Sequence, residues 1–129
     1  MEELIARITA AVGIEEATAT QAVGMILGFL KSEGPSDQVS AMMEALPGAD
    51  SMIANVAEGG GGGGLMGMAA GMLGGGGVMG LGQQLMGLGL GMGEVSGVAK
   101  ETVAFAKEKA GDDTVDAIIN EIPGLSQFI

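Results

Sequence analysis

The sequence predicts an all-α protein made of two related three-helix units, which a segment rich in Gly, Met and Leu joins. Apolar residues recur at spacings of three and four, as they do on one face of a helix. Alternation typical of strands is absent outside the Gly-rich part, and the 129 residues include only three aromatic side chains, all Phe. An internal repeat places the units at residues 1–58 and 78–129, with a Gly-rich linker at 59–77.

The repeat appears when residues 18–53 are aligned without a gap to residues 94–129, which is an offset of 76. Eight positions are then identical, and both copies end in a Pro-Gly stop. We expect the two units to superpose, with the aligned Phe side chain buried in each. The identical pairs are Phe29/Phe105, Lys31/Lys107, Asp37/Asp113, Val39/Val115, Ala41/Ala117, Pro47/Pro123, Gly48/Gly124 and Ile53/Ile129.

The first unit is predicted to form three helices. The N-terminal helix carries an apolar stripe and ends at Gly13, a residue type common just after a helix. The third helix begins at Ser36, a capping candidate, and stops before Pro47, because proline disfavours helix in the residue that precedes it. A short fourth helix is expected over residues 49–57. The three stripes are Leu4, Ile5, Ile8, Ala11 and Val12; Ala19, Ala22, Val23, Ile26 and Leu30; and Val39, Met42, Met43 and Leu46.

The second unit follows the same plan with a Gly-rich first helix. Residues 78–88 take the place of the N-terminal helix and carry Leu81, Leu85 and Leu88 on one face. The last helix of this unit begins at Asp112, a second capping candidate, and also stops before a proline. The apolar stripes of the other two helices are Val95, Val98, Thr102, Phe105 and Ala106; and Val115, Ile118, Ile119 and Ile122.

The segment of residues 59–93 carries no charge and contains 18 Gly, six Met and six Leu. Four interpretations are open. One is a transmembrane helix, since about 20 apolar residues span a bilayer, although the many Gly and the acidic flanks oppose it. The second is a set of helices that pack closely at glycine, and the third is a flexible linker. The fourth is a Cu(I) site at Met66, Met68 and Met72, because thioethers bind soft monovalent copper.

We expect a mixture, with short helices over residues 65–73 and 78–90 and irregular connections at 59–64 and 74–77. Glycines spaced by four let helix backbones approach closely, and the Met and Leu side chains supply apolar contacts. Helices with so many Gly persist only when they pack against the two units or against a second copy of the chain. The residues expected to make these contacts are Gly67, Gly71, Gly75, Met68, Met72, Leu81 and Leu85.

Composition excludes several classes of function. The 16 acidic and 5 basic residues give a net charge of −11, which repels nucleic acid and anionic membranes. Without Cys or His, the chain lacks thiolate nucleophiles, structural zinc sites and the commonest general base. We therefore expect no enzyme, no cofactor and no resident metal. Because the start Met1-Glu2-Glu3 is acidic where a secretory signal is basic, we expect a cytoplasmic protein.

Three short motifs carry a family resemblance. The stops Leu46-Pro47-Gly48 and Ile122-Pro123-Gly124, with the turn Gly13-Ile14-x-x-Ala17, resemble those of small helical bacterial proteins of unknown function, the VcgC/VcgE type. This resemblance implies a helical fold and no catalytic residue. From the missing catalytic residues and the apolar Met and Leu side chains, we expect an interaction or scaffold protein that binds a protein partner or itself. A membrane-associated glycine-zipper protein is the alternative, and copper binding by the three methionines a further one.

Overall fold

Helices form the regular structure of the chain, as the apolar periodicity predicts. The computed structural model describes residues 2–59, 77–122 and 124–129, and within these ranges it has eight helices and no strand. The prediction of an all-α fold is confirmed. The helices are α1 (Glu2–Val12), α2 (Glu16–Glu33), α3 (Ser36–Ala45), α4 (Ala49–Gly59), α5 (Gly77–Met86), α6 (Met92–Ala110), α7 (Asp112–Glu121) and α8 (Leu125–Phe128).

The predicted stops of the first unit lie where the helices end. Gly13 follows α1 with a φ of +83°, and its N–H donates to the carbonyl oxygen of Thr9 at 3.0 Å. This left-handed conformation costs glycine nothing, so glycine suits the position after a helix. α3 ends before Leu46, whose φ of −115° and ψ of 77° are not helical. The following Pro47 explains that conformation, because its ring crowds a helical backbone in the preceding residue.

Two helix starts differ from the prediction by one residue. Ser36 and Asp112 are the first residues of α3 and α7, and the N-cap positions belong to Pro35 and Gly111, with no side-chain cap hydrogen bond. The reason lies in the backbone, since the Pro35 carbonyl already accepts the Val39 N–H at 2.9 Å. At the first helical position the carboxylate of Asp112 still favours the positive end of the helix dipole.

One hydrophobic core holds the described helices together. α2 and α6 pack against each other, and α1 and α5 each contact both of them. α3 contacts α2, α6 and α7, and α7 also packs against α6 and α8. Buried side chains from all eight helices join one cluster, and its fully buried members include Leu4, Leu27, Met42, Leu85 and Ile118.

α4 packs along α2 at a glycine. A Cβ atom on Gly24 would lie 2.5 Å from Cγ2 of Val56 and 2.8 Å from the carbonyl oxygen of Met52. The two backbones therefore approach more closely at this point than any larger residue allows. Gly28, one turn further along α2, has more room, because its nearest neighbour would be Cγ2 of Ile53 at 3.6 Å.

The expected burial of both aligned Phe side chains is wrong for one of them. Phe105 is buried in the core, whereas Phe29 is half-buried at its edge. A side chain of α1 lies over the Phe105 ring: the guanidinium of Arg7 is 5.9 Å from the ring centroid. Among the described residues, no such contact between a cation and the ring is found for Phe29.

The helix expected over residues 78–90 is also shorter than predicted. α5 ends at Met86, and residues 87–89 form a turn in which Gly89 has a φ of +93°. Glycine stops the helix here, because Gly87 and Gly89 favour turn conformations that helical residues avoid. The connections expected at 59–64 and 74–77 are wrong at their outer ends, because Gly59 is the last residue of α4 and Gly77 the first of α5. The rest of both connections and the helix expected over 65–73 lie outside the described residues.

Candidate interaction surface

The described methionine side chains range from the interior of the fold to its surface, and Met25 and Met43 are half-buried. Met42 is fully buried and Met52 is 7% exposed, whereas Met79 is 79%, Met86 47% and Met92 78% exposed. Among the side chains that the structure describes, these last three are the exposed large apolar ones. All three line one groove of about 430 Å³. We call this groove the methionine face, and its residues are Val78, Met79, Gly82, Gln83, Met86, Met92, Val95, Ser96 and Gln127.

Helix α5 supplies most of the methionine face through its 3.6-residue period. Leu81 and Leu85 point into the core, so the residues on the other side of the helix meet solvent. Met79 and Met86 are seven residues apart, which places them on one side, about 10 Å from each other along the axis. Gly82 lies between them and has no side chain, so the surface between the two methionines is a groove rather than a ridge.

The other wall of the methionine face comes from the start of α6. Met92 is the first residue of that helix, and Val95 and Ser96 follow one turn later on the same side. The backbone enters the helix through Gly91, an extended N-cap residue with a φ of −78°. Gln127 of α8 lines the same groove and supplies one of its few polar side chains.

Charge distinguishes the lining of the methionine face from the molecule as a whole. None of the nine residues of the methionine face is charged, although the chain carries a net charge of −11. The described ion pairs join other parts of the molecule, including Arg7 with Glu101 at 3.7 Å and Lys107 with Asp116 at 2.8 Å. Such exposed pairs stabilise a fold only weakly. The methionine face is thus an uncharged patch on a strongly acidic molecule.

Two of these cations have altered acidity because of their partners. The hydrogen bond to Glu108 raises the pKa of Arg7, and the nearby charge of Glu101 adds to this effect. The hydrogen bond to Asp116 raises the pKa of Lys107 in the same way. Both groups keep their charge at physiological pH, so they act as structural contacts between helices and not as proton donors.

A second groove, of about 440 Å³, lies between α2, α3 and α4. Its walls include the ion pair of Lys31 and Asp50, whose Nζ and Oδ1 atoms are 3.1 Å apart. Both side chains are more than half exposed, and each already has a partner in the other. Glu44 also lines this groove, so its walls carry three charged side chains, whereas the methionine face carries none and gathers exposed large apolar side chains. The methionine face is therefore the better candidate for contact with another protein.

The contact residues predicted from the sequence fall into two groups, those buried in the core and those outside the described residues. Leu81 and Leu85 are buried in the core, where they pack against other helices of the same chain. Gly67, Gly71, Gly75, Met68 and Met72 lie outside the described residues, as does the copper site proposed for Met66, Met68 and Met72. Met79, Met86 and Met92 were not among the contact residues predicted from the sequence. Met79 and Met86 could have been predicted from the helical period of α5, because they lie on the side of the helix away from Leu81 and Leu85.

Two further observations concern the described residues 2–59, 77–122 and 124–129. No helix in these ranges is long and apolar enough to cross a membrane. Nor do they contain a cluster of three or more Asp and Glu side chains placed to hold a metal ion.

Comparison with known proteins agrees with the resemblance seen in the motifs. Residues 1–123 match the family described as protein of unknown function VcgC/VcgE (DUF2780). Searches of curated proteins and of solved structures gave no match. The family match covers all but the last six residues of the chain, from α1 to the residue after Ile122. The chain therefore belongs to the VcgC/VcgE (DUF2780) family.

Proposed function

We propose that this protein is a non-enzymatic interaction protein that associates with a second copy of itself through the methionine face. One observation carries the proposal. Among the side chains that the structure describes, the exposed large apolar ones are Met79, Met86 and Met92, and all three line the same groove. Apolar side chains gathered in one patch favour contact with another surface, whereas scattered ones do not. Methionine suits such a contact because its flexible, polarizable side chain adapts to the opposing shape.

The absence of charge on the methionine face favours a second copy as the partner. Two chains that each carry −11 repel each other at long range. The repulsion is smallest when the surfaces that meet are uncharged, and the methionine face is such a surface. A twofold arrangement would bring the same patch of both copies together, as in most small homodimers.

The energetics predict a weak dimer. Full burial of one methionine side chain is worth about 1.5–3 kcal/mol, so six of them contribute at most about 9–18 kcal/mol. Association costs about 4–15 kcal/mol in lost freedom of motion, and charge repulsion opposes it further. We therefore expect an equilibrium between monomer and dimer that depends on concentration. Added salt should shift this equilibrium toward the dimer, because it screens the repulsion between the acidic chains.

Sedimentation velocity over a range of concentration and salt tests the proposal. The double variant Met79→Glu with Met92→Glu should remain monomeric, because it places two charges on the methionine face of each copy. A matched control, Ala41→Glu with Ala54→Glu, adds the same charge at exposed positions of α3 and α4 and should still form dimers. A wild-type chain that stays monomeric under all conditions, or two variants that dimerise equally, would contradict the proposal.

We also propose that the fold consists of two related units, residues 1–58 and 78–129, joined by residues 59–77. Three helices of the second unit begin 76 residues after helices of the first, which supports this proposal. Two glycines with positive φ recur at the same offset. The paired starts are Glu16 and Met92, Ser36 and Asp112, and Ala49 and Leu125; the paired glycines are Gly13 and Gly89, and Gly48 and Gly124.

A core exchange between the units tests their relation. The triple variant Met42→Ile, Met43→Ile and Leu46→Ile gives α3 and its end the apolar residues of the second unit. Related units should accept it with a loss of less than about 1.5 kcal/mol for each exchange, because similar volumes repack well. Loss of cooperative unfolding in this variant would count against equivalent packing in the two units.

A further inference from the structure

The methionine face carries three sulfur atoms that peroxide can reach. We propose that Met79, Met86 and Met92 are a site of oxidative modification, and that their sulfoxide forms dissociate the dimer. This inference rests on the proposed self-association. Oxidation would regulate the same surface, because it turns an apolar thioether into a polar sulfoxide while leaving the length of the side chain almost unchanged.

The reaction needs one oxidant, hydrogen peroxide, and no metal. A lone pair of the thioether sulfur attacks one peroxide oxygen, the O–O bond breaks and an S–O bond forms. The departing hydroxide takes up the remaining proton and leaves as water. Sulfur loses two electrons and the peroxide gains two, so one peroxide is consumed for each sulfoxide. Methionine sulfoxide reductases reverse the change, with two thiols becoming a disulfide and the sulfoxide oxygen leaving as water.

Exposure makes the modification selective. Met79 and Met92 are largely exposed and Met86 is half-exposed, whereas Met42 and Met52 are buried in the core. Met25 and Met43 are half-buried. Among the described methionines, peroxide should therefore oxidise Met79 and Met92 first and leave Met42 and Met52 intact. The chain has no Cys, so no thiol competes for the oxidant.

The fold should survive this oxidation although the dimer does not. α5 is held in place by Leu81 and Leu85, whose side chains are in the core and have no sulfur. A sulfoxide on the methionine face changes only the surface that meets the second copy. Loss of one buried methionine contact should weaken the dimer about tenfold or more, judged from the transfer free energy of that side chain.

Peptide mapping by mass spectrometry, combined with sedimentation velocity, tests the inference on the full chain. In dilute, monomeric protein, peroxide should oxidise Met79 and Met92 fastest, Met86 more slowly and Met42 last. At high concentration, where the dimer covers the methionine face, the same three residues should be protected. The oxidised protein should sediment as a monomer with unchanged helicity, and reductase treatment should restore the dimer.

Two matched variants separate the sulfur chemistry from the shape of the surface. The triple variant Met79→Leu, Met86→Leu and Met92→Leu keeps apolar side chains of similar volume, so it should dimerise and resist peroxide. The triple variant Met79→Gln, Met86→Gln and Met92→Gln imitates the polar sulfoxide, and it should remain monomeric without any oxidant.

The possible failures are distinguishable. A reduced wild-type chain that never dimerises overturns the proposed function, and the inference with it. Oxidation that proceeds as fast at Met42 as at Met79, or an oxidised protein that dimerises as before, overturns the inference alone. The inference is also overturned if peroxide still dissociates the dimer of the variant Met79→Leu, Met86→Leu and Met92→Leu, because the responsible methionines would then lie outside this face.

Discussion

Replacement of Gly24 by alanine should destabilise the protein, whereas the same substitution at Gly28 should stabilise it. Both residues lie within α2, one turn apart, and both face α4. In a helix interior alanine is favoured over glycine by about 1 kcal/mol, so without neighbours both substitutions would stabilise the fold. The packing of α4 makes the difference between them.

At Gly24 the added methyl group has no room. It would lie 2.5 Å from Cγ2 of Val56 and 2.8 Å from the carbonyl oxygen of Met52. The Val56 side chain has limited freedom to turn away, and the carbonyl oxygen moves only if α4 moves. Overpacking of this kind costs about 1–3 kcal/mol, and because one of the close atoms belongs to the backbone, the cost at Gly24 lies above the low end of that range and exceeds the helical gain. We therefore expect a net loss of up to about 2 kcal/mol.

At Gly28 the same methyl group would find an ordinary contact. Its nearest neighbour would be Cγ2 of Ile53 at 3.6 Å, which is a normal van der Waals distance. The helical gain of about 1 kcal/mol is then retained, with a small addition from apolar burial. The pair is a matched test, because the substitution, the helix and the opposing helix are the same.

Urea unfolding followed by far-ultraviolet circular dichroism measures both effects. Helicity is the suitable signal because the chain has no Trp or Tyr to report by fluorescence. Relative to the wild type, the midpoint should fall for Gly24→Ala and rise for Gly28→Ala. The reasoning about α2 and α4 would be refuted by a Gly24→Ala protein as stable as the Gly28→Ala protein.

Two further predictions concern burial, and a third concerns the glycines at four-residue spacing. Leu85→Ala should lower the free energy of unfolding by about 2–5 kcal/mol, whereas Met79→Ala on the exposed side of α5 should change it by less than about 1 kcal/mol. Equal losses for the two variants in urea unfolding would place Met79 in the core. Phe105→Ala should lower the free energy of unfolding by about 3–5 kcal/mol, and substitution of the half-buried Phe29 by Ala should lower it clearly less. The same assay measures both, and a larger loss for Phe29→Ala would contradict the packing described above. Gly71→Leu should weaken self-association if glycines at four-residue spacing contribute a second contact, and unchanged sedimentation of this variant would leave the contact to the methionine face alone.

The sequence predicted the helices because their causes are local. The spacing of Val39, Met42 and Met43 shows a helical face, and the proline after Leu46 ends the helix whatever surrounds it. Gly13 similarly marks the end of α1, since its left-handed backbone needs a residue without a Cβ. The family could be inferred from equally local signals, namely the short Pro-Gly and Gly-Ile motifs.

Tertiary structure decided the properties that depend on residues far apart in the chain. No local pattern shows that α4 approaches α2 at Gly24, because the contact joins residues about 30 positions apart. The burial of Phe105 depends on α1, which contacts α6 and places Arg7 over the ring, whereas Phe29 at the aligned position is half-buried. The methionine face likewise exists because α2 and α6 take up the leucine side of α5 and leave the methionine side uncovered. Periodicity determines that a helix has two faces, but only the packing of distant segments determines which one remains in water.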